Sequence, residues 1–188
     1  FDFDLKAMVQ CHRRTDALAT LALKPNSDPS RYKPVVTDRT GRILSIRGVP
    51  KARKGTVSLF ASVHIIEPLI LDRLPAGESD TVGDLYIPLL REGAHLQGVR
   101  QNGVWHDLGS PAGYLKAQMR LLAERGRKRS VLIDPSVRLG KGARVLRSVV
   151  GAGCVIESAS RIEGSVLWDG ALVKSGASLK NCIVMSGT

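Results

Sequence analysis

The sequence predicts an α/β domain followed by a left-handed parallel β-helix. Short strands and helices alternate up to about residue 124, the pattern of a three-layer α/β domain. The basic run Arg125–Arg129 (RGRKR) then interrupts that pattern. Beyond it, aliphatic residues recur every 17 positions to the end of the chain. The boundaries drawn from this are 1–126 for the α/β part and 131–188 for the repeats.

The elements of the first part follow from caps, periodicity and turn residues. Asp2 or Asp4 can cap a helix that carries Leu5, Met8, Val9 and His12 on one face. Ala17–Lys24 is short and mostly apolar, which fits a strand buried on both faces. Pro25–Ser30 is a loop. Lys33–Thr37 and Arg42–Val49 are strands joined by Asp38-Arg39-Thr40-Gly41, and the basic loop Pro50–Gly55 follows. Val57–Ile66 is a further strand and Pro68–Leu74 a short helix. Ser79 is placed to cap a helix over Asp80–Arg91, with Pro88 bending it. Asn102-Gly103 between Leu96–Gln101 and Val104–Asp107 is a two-residue hairpin signal, which puts Asp107 at the end of a paired strand. A helix over Ala112–Arg125 closes this part.

The repeats form three columns: Ile133, Val150, Leu167 and Val184; Leu139, Ile156 and Val173; Val145, Ile162 and Leu179. Within one period the gaps are six, six and five residues. Small residues make further columns, Ala143–Ser160–Ala177 and Ser148–Ser165–Cys182. A fixed short period means stacked coils, and three strands per coil with one inward aliphatic each give a triangular prism. A β-sandwich would not keep three independent columns in register. About three coils fit. Ile183, Val184 and Met185 leave an apolar end, which more chain or a partner is expected to cover.

Composition bounds the function. Net charge is +11 and aromatic residues make up 4% of the 188 positions. The charge favours anionic partners. Its clusters, Lys51–Lys54 and Arg125–Arg129, carry no interleaved stacking rings, which argues against nucleic acid. Arg125–Arg129 reads as a solvated linker, with an anion-binding effector site as the sharper alternative. Cys11, Cys154 and Cys182 are widely spaced and form no CxxC pair, consistent with a reducing cytoplasm. No apolar run reaches membrane-spanning length. The chain begins at Phe1 in mid-pattern, which suggests a piece of something longer.

Three stretches resemble the sugar-nucleotide pyrophosphorylases, sugar-1-phosphate nucleotidyltransferases of the mannose-1-phosphate guanylyltransferase type. Phe1–Leu5 (FDFDL), with His12 and Ala19-Thr20-Leu21, resembles the segment after that family's first metal-binding Asp. Leu59–Pro68 (LFASVHIIEP) is similar to its strand lining the sugar pocket. Gly103–Pro111 (GVWHDLGSP), continued by Tyr114-Leu115, resembles its Gly-x-Trp-x-Asp-x-Gly-Thr-Pro motif. With the coils, the likeness covers essentially the whole chain. It implies the C-terminal part of a Rossmann-like nucleotidyltransferase domain, acting on a nucleoside triphosphate and a sugar 1-phosphate with Mg²⁺. Homo-oligomer contacts through the β-helix are also implied, with no membrane and no nucleic acid among the partners.

On the resemblance, Asp107 matches a Mg²⁺ ligand, Trp105 packs beside the ion, and Gly109 lets backbone approach the ligand. Read locally, Asp107 is equally a turn or helix-capping carboxylate. The family's Gly-rich phosphate loop has no counterpart in these residues, and its first metal Asp would fall before Phe1. Its Glu-Lys-Pro is here Ile46-Arg47-Gly48-Val49-Pro50, leaving Arg47 to meet a phosphate. Its Tyr-Gly is Tyr32-Lys33, and the Gly of its sugar-pocket strand is Ser62. His64 and His106 are read as structural or solvent-facing, because pyrophosphate leaves without an obligate general acid. His12 is read as a packed core histidine. A non-catalytic regulatory subunit of the same architecture is the alternative. A hexapeptide acyltransferase is disfavoured, since no His follows His106.

Overall fold

The computed structural model describes residues 1–124 and 131–187, so the basic run Arg125–Arg129 lies outside the described residues. Contacts divide the chain into two compact units, Phe1–Trp105 and His106–Thr188.

The first unit is built on a five-stranded sheet. In chain order its strands are β1 (Ala19–Pro25), β2 (Pro34–Thr37), β3 (Ile43–Ile46), β4 (Thr56–Ile66) and β5 (Leu96–Arg100). Across the sheet the order is β3-β2-β4-β1-β5. Strand β1 pairs parallel with β5 and antiparallel with β4. Being central and covered on both faces, it is buried from Ala19 to Leu23, as its unbroken apolar run predicts. Helix α1 (Leu5–Thr15) places Met8 against Ala22, Leu59 and Ala61 on one face of the sheet. The opposite face packs Leu21, Leu23, Val35 and Ile43 against Ile70, Leu85, Tyr86 and Leu89. The second set comes from a 3₁₀ turn (Pro68–Arg73), a π-helical segment (Thr81–Tyr86) and helix α2 (Ile87–Arg91). The unit is therefore three layers deep.

One local expectation is narrowed and two change. Of the two candidate caps for α1, Asp4 is the one used: its carboxylate accepts the Ala7 N–H at 2.8 Å. The 80–91 helix is capped by Asp80 rather than Ser79, through the Val82 N–H at 3.1 Å. Pro88 does not bend a regular helix, because the chain before it is wound wide and Ile87 N–H reaches back to the Val82 carbonyl. Winding the turn wider relieves the clash a proline ring makes with the carbonyl four residues earlier.

The expected hairpin does not form. Strand β5 ends at Arg100, and Val104–Asp107 is not a strand. Gly103 adopts no left-handed backbone, so no two-residue hairpin turn is made. Instead the Asp2 N–H donates to the Val104 carbonyl at 2.8 Å. The N-terminal strip occupies the place of a return strand. A Cβ on Gly103 would lie 1.3 Å from the Asp2 carbonyl oxygen, so this glycine serves a close backbone approach.

The second unit contains helix α3 (Pro111–Glu124) and ten short strands, β6 (Val131–Ile133) through β15 (Ile183–Val184). They form three parallel sheets, β6-β9-β12-β15, β7-β10-β13 and β8-β11-β14. Each strand pairs with the one 17 residues away, so Ile133, Val150, Leu167 and Val184 stack in register. Leu139–Ile156–Val173 and Val145–Ile162–Leu179 do the same. The fold is the parallel β-helix of hexapeptide repeats. Ile156 and Ile162 are fully buried at mid-stack, while Leu139 in the first coil is 52% exposed. The small-residue column makes rungs: Ser165 N–H donates to Ser148 Oγ at 3.0 Å, and Cys182 N–H to Ser165 Oγ at 3.1 Å. Arg147, Gly164 and Asn181 repeat a left-handed corner with φ 45°, 59° and 53°. Glycine and asparagine suit that corner, and Arg147 there bonds Glu163 of the next coil.

Candidate functional site

Strand β4 shapes the main cavity of the sheet unit. Its register against β1 slips between Leu21–His64 and Leu23–Phe60, so three β4 residues face the single residue Ala22. This bulge is centred on Ser62, whose φ of 57° is left-handed in the middle of a strand. The family-like glycine position therefore keeps glycine's backbone although it carries a serine. Phe60, Ser62 and His64, alternate residues of β4, line a cavity of about 410 Å³.

Further lining comes from a tight turn and a helix cap. Arg47 and Gly48 both have positive φ, 54° and 82°, and Ile46 and Val49 exchange both backbone hydrogen bonds around them. This tight turn carries Arg47 into the cavity wall, where it forms an ion pair with Asp80. The Arg47 guanidinium, by hydrogen bonding, holds the Asp80 carboxyl below the usual carboxylate range. Asp80 also anchors the start of the π-helical segment, so one carboxylate ties wall to scaffold. Arg31, Tyr32 and Lys33 form the remaining side. The Arg31 guanidinium lies 5.2 Å from the centre of the Tyr32 ring.

Trp105 stands behind this wall rather than in it. Its ring meets Tyr32 edge-on at 5.7 Å and packs with the cluster around Met8 and Ala22. Of the sequence-predicted residues, Tyr32, Arg47 and Ser62 are brought to one cavity, and Trp105 braces Tyr32. Asp107 and Gly109 belong to the second unit. There the Asp107 carboxylate accepts the Gly109 N–H at 2.9 Å, closing a turn. The cap of α3 is Ser110, whose hydroxyl accepts the Gly113 N–H at 3.1 Å. Asp107 thus serves its own turn and leaves capping to its neighbour.

The histidines separate clearly. His12 is buried, with Nδ1 at 2.8 Å from Thr20 Oγ1 and Nε2 at 3.0 Å from Glu67, as expected of a core histidine. His106 Nε2 is buried and makes no hydrogen bond among the described residues. His64 faces the cavity, stacks on Phe60 at 5.7 Å and meets the Tyr86 hydroxyl through Nδ1 at 2.7 Å. Burial lowers its pKa, so the ring is neutral at neutral pH. Sequence reasoning placed Asp80 only at the start of a helix and read His64 as structural or solvent-facing, whereas both line the cavity. Asp80 acts through a partner 33 residues away. For His64 a signal existed: it lies two residues from Ser62, on the same face of the strand.

In one chain a mixed sheet with a polar cavity is followed by hexapeptide coils. Residues 1–124 match the nucleotidyl transferase family model, and residues 118–188 match the GlmU-like C-terminal hexapeptide model. The chain belongs to the nucleotidyl transferase family. It is 26% identical over 216 residues to a UTP–glucose-1-phosphate uridylyltransferase of Synechocystis sp., covering 97% of this chain and 56% of that protein. It is 25% identical to mannose-1-phosphate guanylyltransferase 1 of Arabidopsis thaliana, covering 97% and 54%. With the mannose-1-phosphate guanylyltransferase of Mycobacterium tuberculosis the identity is 27%, covering 92% and 51%. The chain thus spans about half the length of the curated relatives it matches.

Proposed function

We propose that this chain is part of a sugar-1-phosphate nucleotidyltransferase, which forms an NDP-sugar and pyrophosphate from a nucleoside triphosphate and a sugar 1-phosphate. Residues 1–126 are its share of the catalytic domain and 131–188 its β-helix. The observation that carries the reading is the convergence of Tyr32, Arg47 and Ser62 on one cavity of about 410 Å³, a volume suited to a small polar ligand. In the reaction a sugar-phosphate oxygen bonds to the α-phosphorus, and the bond to the β-phosphate oxygen breaks. Both reacting groups are anionic, so the protein's task is to position them and offset charge.

Arg31 and Lys33 supply cationic groups on the cavity side. Arg47 is already held by Asp80, so it meets phosphate only when that pair is shared or exchanged. Trp105 fixes the Tyr32 ring from behind. For Mg²⁺ the donor chemistry at Asp107 fits in kind: Mg²⁺ favours hard carboxylate oxygens and takes its remaining ligands from phosphates and water. Among the described residues no group of three or more His, Cys, Asp or Glu could hold a metal, so Asp107 would be one ligand of a shared site. When bound, the ion neutralises charge building on the phosphate oxygens. Gly109 is the residue suited to close backbone approach beside it.

The Arg47–Asp80 pair also favours a second reading, a non-catalytic regulatory subunit of the same architecture, because it occupies the cation expected to meet phosphate. For either reading we expect self-association through the β-helix. Its first coil exposes apolar side chains, Leu132 at 44% and Leu139 at 52%. Neither membrane nor nucleic acid is among the proposed partners; no helix of the described residues is long and apolar enough to cross a membrane. The test is pyrophosphate release by the full-length protein against a panel of sugar phosphates and nucleotides. Turnover with one pair supports the enzyme. No turnover with any pair, together with binding to an active homologous subunit, supports the regulatory reading.

A further inference from the structure

The β4 bulge leaves two polar groups without protein partners in one cavity. Ser62 is exposed and its hydroxyl makes no hydrogen bond among the described residues. His64 uses only Nδ1, and its Nε2 is neither bonded nor sealed from solvent. Both side chains line the same cavity.

The proton positions on His64 follow from Tyr86. That phenol is fully buried, and burial raises its pKa, so it keeps its proton. His64 Nδ1 is its one hydrogen-bond partner among the described residues. Were Nδ1 to carry a hydrogen, the buried phenol O–H would have no acceptor, which costs about 1–3 kcal/mol. The satisfied arrangement has the phenol donating to Nδ1, which puts the ring hydrogen on Nε2. The imidazole stacks on Phe60, and burial keeps it neutral. A neutral donor on an aromatic wall suits an uncharged oxygen better than a phosphate. The cations Arg31, Lys33 and Arg47 line the same cavity. The cavity therefore offers both cations and a neutral donor, the two kinds of group that a hydroxylated ring bearing one anionic group calls for.

We infer that His64, held by Tyr86 as its Nε2–H tautomer, donates a hydrogen bond to a hydroxyl oxygen of the sugar, with the Ser62 hydroxyl beside it. This rests on the sugar-phosphate reading above and adds a specificity-determining residue to it. In the full-length protein, a two-bond ¹⁵N–¹H spectrum of the histidine rings should show His64 as Nε2–H without any ligand. Sugar 1-phosphate should then shift that resonance. His64→Phe should raise KM for the sugar phosphate about tenfold and leave KM for the nucleotide unchanged. His64→Gln, whose amide N–H can replace the Nε2–H, should recover most of the loss. Tyr86→Phe should mix the tautomers and raise the same KM by less. Melting curves of each variant separate these effects from misfolding. An Nδ1–H ring in the wild type overturns the inference whatever the ligand, and leaves the sugar-phosphate reading standing. An unchanged sugar-phosphate KM in His64→Phe overturns it as well. An Nε2–H ring in a protein that neither binds nor turns over any sugar 1-phosphate overturns the assigned ligand and the enzyme reading together.

Discussion

The two units hold their residues in place by different means. In the β-helix a residue's environment is set by its place in a 17-residue period, so Ile156 is buried because Leu139 and Val173 stack on either side. In the sheet unit a residue's environment depends on partners far along the chain. Arg47 is positioned by Asp80, and Gly103 by the Asp2 carbonyl. Periodic structure spreads its determinants evenly, whereas the cavity concentrates them in a few non-repeating contacts. The coils should therefore fail as a block, and the cavity one contact at a time.

The harshest test of that contrast is a charge inside the stack. Ile156→Asp puts a carboxylate at a fully buried position with no cationic partner in the inner columns. The cost should be about 3–5 kcal/mol or more, enough to unfold the coils. Hydrogen exchange should show loss of protection across the β-helix while β1 and β4 stay protected. Protection lost only near residue 156, or an unchanged melting curve, would refute collective failure.

Next in size is Asp107→Asn in the full-length enzyme. Asn keeps the oxygen that accepts the Gly109 N–H, so the turn should persist and any loss of stability should be far smaller than the loss of activity. It removes the negative charge that a Mg²⁺ ligand needs. Turnover should fall by about two orders of magnitude or more. Equal loss of stability and activity would make Asp107 a turn residue alone, part of the scaffold and not of the site.

These outcomes also bear on what the sequence made legible. The coils could be read to the residue, because three columns at one spacing leave a single register in which all the aliphatics point inward. The buried strand β1 was legible for local reasons, and the helix cap was narrowed to Asp2 or Asp4. The hairpin at Asn102-Gly103 was misread because the competing partner, Asp2, lies a hundred residues earlier and turn chemistry does not register it. Tyr32, Arg47 and Ser62 were singled out on resemblance alone. What remained hidden was the Arg47–Asp80 pair and the Tyr86–His64 bond, since neither leaves a spacing or a period behind.

A milder change acts on the strained centre of the cavity. Ser62 holds a left-handed backbone that costs a non-glycine residue about 1 kcal/mol, and its side chain has no compensating hydrogen bond among the described residues. Ser62→Gly should therefore stabilise the sheet unit by roughly 0.5–1 kcal/mol, read as a higher denaturation midpoint at unchanged slope. In the coils, Arg147→Gly at a comparable φ should gain less, because Arg147 bonds Glu163. A larger gain at Arg147 would mean that corner strain outweighs the local partner.

The smallest expected effect concerns Asp80. Hydrogen bonding from Arg47 lowers its folded-state pKa below the unfolded value, so its stabilising contribution is complete above the unfolded carboxylate range. As pH falls, the unfolded chain takes up the proton first. The contribution is then lost until the folded carboxyl is protonated too. Asp80 and Arg47 are 50% and 43% exposed, so solvent and salt screen the pair and its contribution stays below about 1 kcal/mol. Asp80→Asn should flatten the acid limb of stability by that small amount, and 1 M salt should shrink the difference between the two proteins. The substitution also frees Arg47 without adding bulk to the cavity. If sugar phosphate then binds more tightly while stability changes little, Arg47 is withheld from phosphate by its partner. If binding weakens, the pair as a unit shapes the wall, and the single contact does what the 17-residue period does elsewhere in the chain.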